Sequence, residues 1–138
     1  MSFREKSAWV MALVLTTTGI YYWYAVGAVS REIGATAPAA VVVGFVIWVV
    51  IGSIIVQLLL VVTSPKEANA PADERERDVQ QRAGNWSGVV LATGVVLSLG
   101  HYLARGDGNM LFHLAMASLI VAHIAEYAIQ ILLVRRSI

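Results

Sequence analysis

Two titratable side chains, His123 and Glu126, lie three residues apart in a stretch of the chain that is otherwise apolar. On a helix this spacing places them on one face, and Tyr127 and Gln130 extend the same polar stripe. At 1.5 Å per residue, Glu126 would lie roughly 13 Å and His123 roughly 18 Å from Arg135. Both would then be near the middle of a hydrocarbon layer about 30 Å thick. A charged side chain at that depth costs about 2.5–3.5 kcal/mol, so we expect these residues to face other helices and to find partners there.

Three kinds of chemistry would explain the polar stripe. In the structural hypothesis, Glu126 makes a hydrogen bond that holds helices together, with His123, Gln57 or a threonine of the first helix as its partner. In the second hypothesis, Glu126 is a proton or cation site for transport and His123 is a relay, because an imidazole titrates near neutral pH. In the third, histidines bind a metal or haem. His123 and Glu126 have ligand spacing, but further ligands would have to come from other helices.

A pair of histidines offers a separate possibility for ligand binding. His101 and His113 flank a short turn, so their depths in the membrane would match and they could form a site near the outer surface. The chain has no cysteine, which excludes thiolate metal sites and cysteine nucleophiles. We predict no metal site and no resident cofactor, with haem or metal binding through the histidines as the alternative.

Four apolar stretches must position these side chains. The chain has 138 residues, of which 58% are hydrophobic, whereas soluble domains are about 45–50% apolar. Each stretch provides the roughly 20 residues that a spanning helix needs, and strands are disfavoured because membrane strands alternate apolar and polar residues. We therefore predict an all-α integral membrane four-helix bundle, a single transmembrane domain over 1–138, with spans at 8–29, 39–63, 84–104 and 110–134.

The basic residues predict how the chain is threaded. With four spans, eight of the ten lysines and arginines fall on one side, and such an excess marks the cytoplasmic side of a bilayer. Both termini and the 64–83 loop are therefore predicted to be cytoplasmic. The second half of this loop contains "ADERERDVQQR", in which opposite charges such as Asp78 and Arg82 have helical spacing. It is predicted to be a solvated helical lead-in to the third span.

The two halves of the chain have features in common. Gln57 near the end of the second span matches Gln130 near the end of the fourth, and Trp9 matches Trp86 near the starts of the first and third. The chain could therefore be a tandem repeat of two helical hairpins, related by an axis along the membrane normal. Chance similarity between leucine-rich helices is the alternative.

Small residues indicate where helices could approach closely, because packing between helices in lipid depends on close contact and on polar groups. The third span has Gly84 and Gly88, and the second has Gly44 and Gly52. We predict that these four glycines pack helices within the bundle, with a dimer face as the alternative.

The order of these features resembles an uncharacterised family of small bacterial four-span membrane proteins. Members have a "DER-[DE]" segment before the third helix, a lone glutamate within the fourth and basic residues directly after it. The corresponding residues here are Asp73-Glu74-Arg75-Glu76, Glu126 and Arg135-Arg136, so the resemblance covers mainly 73–136. It implies a location in the bacterial inner membrane and no known activity.

The sequence limits the possible functions mainly through the motifs that it lacks. The sequence has no nucleophile elbow, no phosphate-binding glycine loop and no soluble segment long enough for a catalytic domain, so we predict that it is not an enzyme. A net charge of +1 predicts no nucleic-acid partner. We expect the chain to act in the lipid bilayer by helix–helix assembly, as a homodimer or as an accessory subunit of a larger membrane complex. The alternatives are a small proton- or cation-coupled transporter that uses Glu126 and His123, and a haem or metal binder.

Overall fold

The computed structural model describes residues 3–33, 39–63, 65 and 73–136. These residues form four α-helices and no strand, which confirms the predicted all-α class. In chain order the helices are α1 (Phe3–Ile33), α2 (Ala39–Thr63), α3 (Glu74–Arg105) and α4 (Gly108–Arg136).

All four helices are long and apolar enough to cross a membrane. The shortest, α2, has 25 residues and is therefore about 37 Å long, more than the hydrocarbon layer requires. Each predicted span lies within one helix. The third helix begins at Glu74 rather than at residue 84, so the described part of the predicted 64–83 loop from residue 74 onward is helical, as the charge spacing indicates. Arg82 Nε lies 3.0 Å from Asp78 Oδ2 on this segment.

The connection between α3 and α4 consists of two residues whose types fit a sharp turn. Gly106 has φ of +67°, and its N–H donates to the Tyr102 carbonyl at 2.7 Å; glycine adopts this left-handed geometry without the steric strain of a side chain. Asp107 then begins α4, because its side chain accepts a hydrogen bond from the Met110 N–H at 3.0 Å, as an N-cap residue does. The short turn forces α3 and α4 to run antiparallel side by side.

The helices pack in the order α3, α4, α1, α2. The most extensive contact joins α3 to α4, followed by α4 with α1 and then α1 with α2. The largest buried side chains lie where α1 meets its neighbours: Tyr22 and Val26 are 1% and 2% exposed, and Phe45 of α2 and Ile120 of α4 pack against them. The central helices of the arrangement are thus α1 and α4.

The α2 helix is attached more loosely than the others. Its candidate span contains no buried residue, and its contacts with α1 include the Tyr22 and Phe45 rings, whose centroids are 4.8 Å apart. The α1–α2 hairpin therefore packs differently from the closely packed α3–α4 hairpin. The tandem repeat suggested by Gln57 and Gln130 stays a prediction.

Candidate functional site: the polar stripe and the face around it

Small side chains form the seam between α3 and α4. Ser87 Oγ donates a hydrogen bond to the carbonyl of Ala122 at 3.0 Å, and both residues are buried. A Cβ placed on Gly94 would overlap the side chain of Ser118, so the two backbones are close there. Ala83 is fully buried near the other end of the seam. The seam therefore combines close backbone approach with an interhelical hydrogen bond, the two interactions that hold helices together in lipid.

The glycines predicted to pack the helices do not lie in these contacts. A Cβ added to Gly84, Gly88, Gly44 or Gly52 would meet no atom within 4 Å. Close helix approach instead occurs at Gly94 and at Gly19, whose added Cβ would lie 2.7 Å from Ile120 Cγ2 of α4. On α3 the packed face instead contains Ala83 and Ser87, which directly precede Gly84 and Gly88, and Ser87 also donates a hydrogen bond across the seam.

The polar stripe of α4 lies at the edge of the seam. His123 Nδ1 is 3.7 Å from Glu126 Oε2, one helical turn apart, and among the described residues this is the only ion pair of Glu126. The His123 side chain is 59% exposed and that of Glu126 is 30% exposed. Tyr127 and Gln130 are half-buried. The stripe therefore exists, but within a single chain it faces outward more than the sequence predicts.

The residues on other helices that were predicted as partners of Glu126 form hydrogen bonds with other groups instead. Ser7 Oγ of α1 donates to Gln57 Oε1 at 3.1 Å, and Gln57 Nε2 donates to Ser7 Oγ at 3.0 Å. Gln57 thus joins α2 to α1 and does not reach α4. The threonines of the first helix donate to carbonyls within α1 itself: Thr16 to Ala12, Thr17 to Leu13 and Thr18 to Val14. Of the predicted partners, only His123 approaches Glu126.

Helix geometry places the exposed glycines of α3 beside this stripe. Gly84 directly follows Ala83, Gly88 follows Ser87, and His123 follows Ala122, and each preceding residue is buried in the seam. One residue further along an α-helix is a rotation of about 100°. Because α3 and α4 are antiparallel and face each other, this rotation turns the following residues to the same side of the hairpin.

We call this side of the hairpin the assembly face. By the same geometry, Glu126 and Gln130, four and eight residues after Ala122, turn toward the same side. The face therefore combines two exposed glycines of α3 with the polar residues of α4. It is defined by Gly84, Gly88, His123, Glu126 and Gln130.

A polar cluster that sequence reasoning missed joins the start of α1 to the end of α4. The Glu5 side chain is 10% exposed, and its Oε1 lies 3.7 Å from Arg135 Nε. The Arg135 guanidinium also lies over the ring of Trp9, 5.3 Å from its centroid. A cation beside a carboxylate and an aromatic face is attracted to both. The feature of the sequence that could have indicated this cluster is a single acid, Glu5, between the basic residues of the N-terminal segment.

The two remaining histidines lie on different helices near the α3–α4 turn. The His113 ring packs between Phe112 and Tyr22, with centroid distances of 5.8 and 6.5 Å. His101 is on α3, and its buried Nδ1 has no hydrogen-bond partner among the described residues. His113 lines a cavity between α1 and α4, whereas His101 is not among the described residues that line it. The predicted two-histidine site thus has one member in a cavity and one outside it.

Metal ligation requires more ligands than the His123–Glu126 pair or the His101–His113 pair provides. Over residues 3–33, 39–63, 65 and 73–136, no three His, Asp or Glu side chains are grouped as metal ligands. That the protein binds no metal and no haem stays a prediction.

Comparison with family models, with curated proteins and with solved structures found no match to this chain. The resemblance at Asp73-Glu74-Arg75-Glu76, Glu126 and Arg135-Arg136 therefore stays a prediction from those residues alone.

Proposed function

We propose that this protein is a bacterial inner-membrane protein that works by helix–helix assembly through the assembly face. Its partner is a second copy of the chain or another subunit of a membrane complex. We infer from the distribution of basic residues that both termini are cytoplasmic, and the α3–α4 turn then lies on the opposite side.

The exposure of His123 and Glu126 is the observation that carries the proposal. Both side chains lie near the middle of α4, where a bilayer would be driest, yet they are 59% and 30% exposed in the single chain. Ionisable groups at this depth almost always face the interior of a bundle or a water-filled cavity. A second membrane protein against this face would cover them and would supply polar partners.

The glycines of α3 favour the same face. Gly84 and Gly88 are exposed and have open space where a side chain would be. In lipid, such small residues let a second helix backbone approach closely, and the polar groups beside it then reach across. In a two-fold dimer this face would meet its own copy, so that each His123–Glu126 pair lies near the other.

A second candidate function is proton or cation translocation. The distance of 3.7 Å between His123 Nδ1 and Glu126 Oε2 favours it, because an imidazole next to a carboxylate can pass a proton without large movement. In that case the assembly face would line a path between subunits rather than only hold them together.

Substitution of Glu126 separates these two functions. Under the assembly proposal, Glu126→Gln keeps the shape and most of the hydrogen-bonding capacity, so the complex should form nearly as well. Glu126→Leu would leave the partner's polar group unpaired, at about 1–3 kcal/mol, which corresponds to roughly 5- to 150-fold weaker association. Native mass spectrometry from mild detergent and from lipid nanodiscs measures the fraction assembled.

The matched control is Asp78→Asn, which removes an exposed acid that also has an ion-pair partner one turn away on its own helix. It should leave assembly unchanged. Loss of proton flux in liposomes with Glu126→Gln, with assembly intact, would favour translocation instead. A wild-type chain that is monomeric and without partners in native lipid would contradict the assembly proposal.

A further inference from the structure

The α2 helix stands on the same side of the chain as the assembly face. Phe45 of α2 and Met116 of α4 both pack against the buried cluster of Tyr22 and Val26 on α1. Met116 lies seven residues, or two helical turns, before His123, so these two residues share one face of α4. The α2 helix therefore packs on α1 at the side to which the assembly face turns.

The four helices form an L when viewed along the membrane normal. On α4, Ala122 meets α3 through the Ser87 hydrogen bond, and His113 packs against Tyr22 of α1. Nine residues make two and a half helical turns, so α3 and α1 lie on opposite sides of α4. These three helices form a row, and α2 projects from the α1 end of the row. No described helix fills the inner angle of the L, between α4 and α2.

Two polar side chains within the apolar spans lack partners in the single chain. Ser53 of α2 is the only serine or threonine with a described side chain whose hydroxyl forms no hydrogen bond to a described residue. Asn85 of α3 is exposed and forms none to a described residue either. Hydrogen bonds between helices stabilise such groups in lipid. The two residues cannot meet within one chain, because α2 and α3 lie at opposite ends of the arrangement.

Contacts within the chain place Ser53 and Asn85 at a similar depth. Three pairs relate positions on the four helices: Phe45 with Tyr22, Gly19 with Ile120, and Ser87 with Ala122. At about 1.5 Å per residue, Ser53 and Asn85 are then within about one helical turn of each other along the membrane normal. The two glycines of the assembly face lie equally close in depth to its two ionisable residues.

We propose that the partner is a second copy of this chain, related by a two-fold axis along the membrane normal, whose α3 fills the angle between α4 and α2. This inference rests on the proposed function and specifies the partner. Rotation about such an axis preserves depth, so Gly84 and Gly88 of each copy meet Glu126 and His123 of the other. The two α3–α4 hairpins then form a central four-helix bundle.

The side of α2 that faces the inner angle contains Val50 and Ser53. Trp48 lines a cavity together with Thr17 of α1. Thr17 lies two residues before Gly19 and therefore on the side of α1 away from α4. Val50 lies two residues after Trp48 and so faces roughly the opposite way, toward the angle. Ser53, three residues further on, is beside Val50.

Each α3 has three neighbours in this dimer. Its seam residues contact α4 of its own chain, and its glycines contact α4 of the second copy. Asn85 lies two residues before Ser87, about 200° around the helix, and therefore faces away from the seam, toward α2 of the second copy. Ser53 and Asn85 thus enter one contact at a similar depth, where each supplies a hydrogen-bonding group to the other chain.

Disulfide cross-linking in native membranes tests this arrangement. The chain has no cysteine, so two differently tagged copies are expressed together, one with Val50→Cys and the other with Asn85→Cys. A disulfide needs Cα atoms within about 7 Å, whereas within one chain two helices separate these positions. We expect oxidation to link most of the assembled protein as mixed-tag dimers.

The matched control combines Ile55→Cys with Asn85→Cys. Ile55 and Val50 are both 51% exposed, but Ile55 lies seven residues after Trp48 and shares its side of α2, away from the angle. Chance collisions in the membrane affect both pairs alike, so the control should give only a trace of dimer.

A second pair, Val46→Cys with Val89→Cys, lies one turn further outward on each helix, and both positions are exposed. It carries the same expectation if Asn85→Cys does not fold. Equal cross-linking from residues 50 and 55, or none from either pair while native mass spectrometry shows assembly, would overturn this dimer and leave the proposed function standing. A wild-type chain that is monomeric in native lipid would overturn both.

Discussion

Replacement of Gly88 by leucine should abolish assembly while the fold of the single chain stays intact. Gly88 lies on the assembly face, and a Cβ added there meets no atom of the chain within 4 Å. Leucine is also a better helix former than glycine. The same side chain would hold a partner helix away from the close approach that the glycine permits, and would separate the polar groups of the two chains.

The readouts are native mass spectrometry for assembly and circular dichroism during thermal unfolding for the fold. The matched control is Gly100→Leu, in the same helix and also with open space around its Cβ position. Gly100 is twelve residues further on and therefore about 120° around the helix from Gly88, away from the assembly face. Loss of assembly in both variants, or in neither, would contradict the assignment of this face.

Replacement of Gly94 by leucine should, unlike Gly88→Leu, destabilise the fold of the single chain. A Cβ at this position would overlap Ser118, and the Ser118 Cα would be only 3.4 Å away, so the α3 and α4 backbones would have to separate. Overpacking of this kind typically costs about 1–3 kcal/mol, and more where backbone must move. The added strain would also weaken the neighbouring Ser87 hydrogen bond to Ala122.

Gly94→Leu should therefore lower the unfolding temperature of the isolated chain in micelles, whereas Gly88→Leu and Gly100→Leu should not. The three substitutions sit at six-residue intervals along one helix and introduce the same side chain, so differences in hydrophobicity or helix propensity cancel. An unfolding temperature of Gly94→Leu equal to that of Gly100→Leu would mean that the α3–α4 seam does not stabilise the chain.

The four helices and their positions along the chain could be predicted because hydropathy is a property of each segment alone. Long uncharged runs such as 39–63 leave no alternative to a helix of membrane-spanning length. The helical segment that begins at Glu74 could also be predicted, because opposite charges four residues apart, such as Asp78 and Arg82, are a local signal for a helix. The packing of α2 mainly against α1 is not local, and no feature of its uniform sequence indicates it.

The orientation of each helix could not be predicted to within one residue. Gly84 and Gly88 form as good a small-residue ridge as Ala83 and Ser87, whereas the second face also supplies the hydrogen bond of Ser87 to Ala122. Since one residue is about 100° of rotation, this difference moves a whole face from inside to outside.

Partners of polar side chains were the least predictable feature. Gln57 is one of three partners predicted for Glu126, but it forms its hydrogen bonds with Ser7 on the adjacent helix instead. Glu5 carried no strong signal, although its side chain is 90% removed from solvent beside Arg135. Such pairs depend on which helices are neighbours, and sequence spacing along one helix does not define neighbours.

Photo-crosslinking at two positions of α4 tests the claim that the assembly face contacts another protein. Leu119 follows Ser118 of the seam and lies on the assembly face, whereas Val121 precedes Ala122 and lies on the opposite side of the hairpin; they are 42% and 53% exposed. A benzophenone amino acid at each position, irradiated in native membranes, reports what covers that side. We expect residue 119 to capture protein, either a second copy or another subunit, and residue 121 to capture lipid. Capture of protein at 121 and only lipid at 119 would contradict the claim.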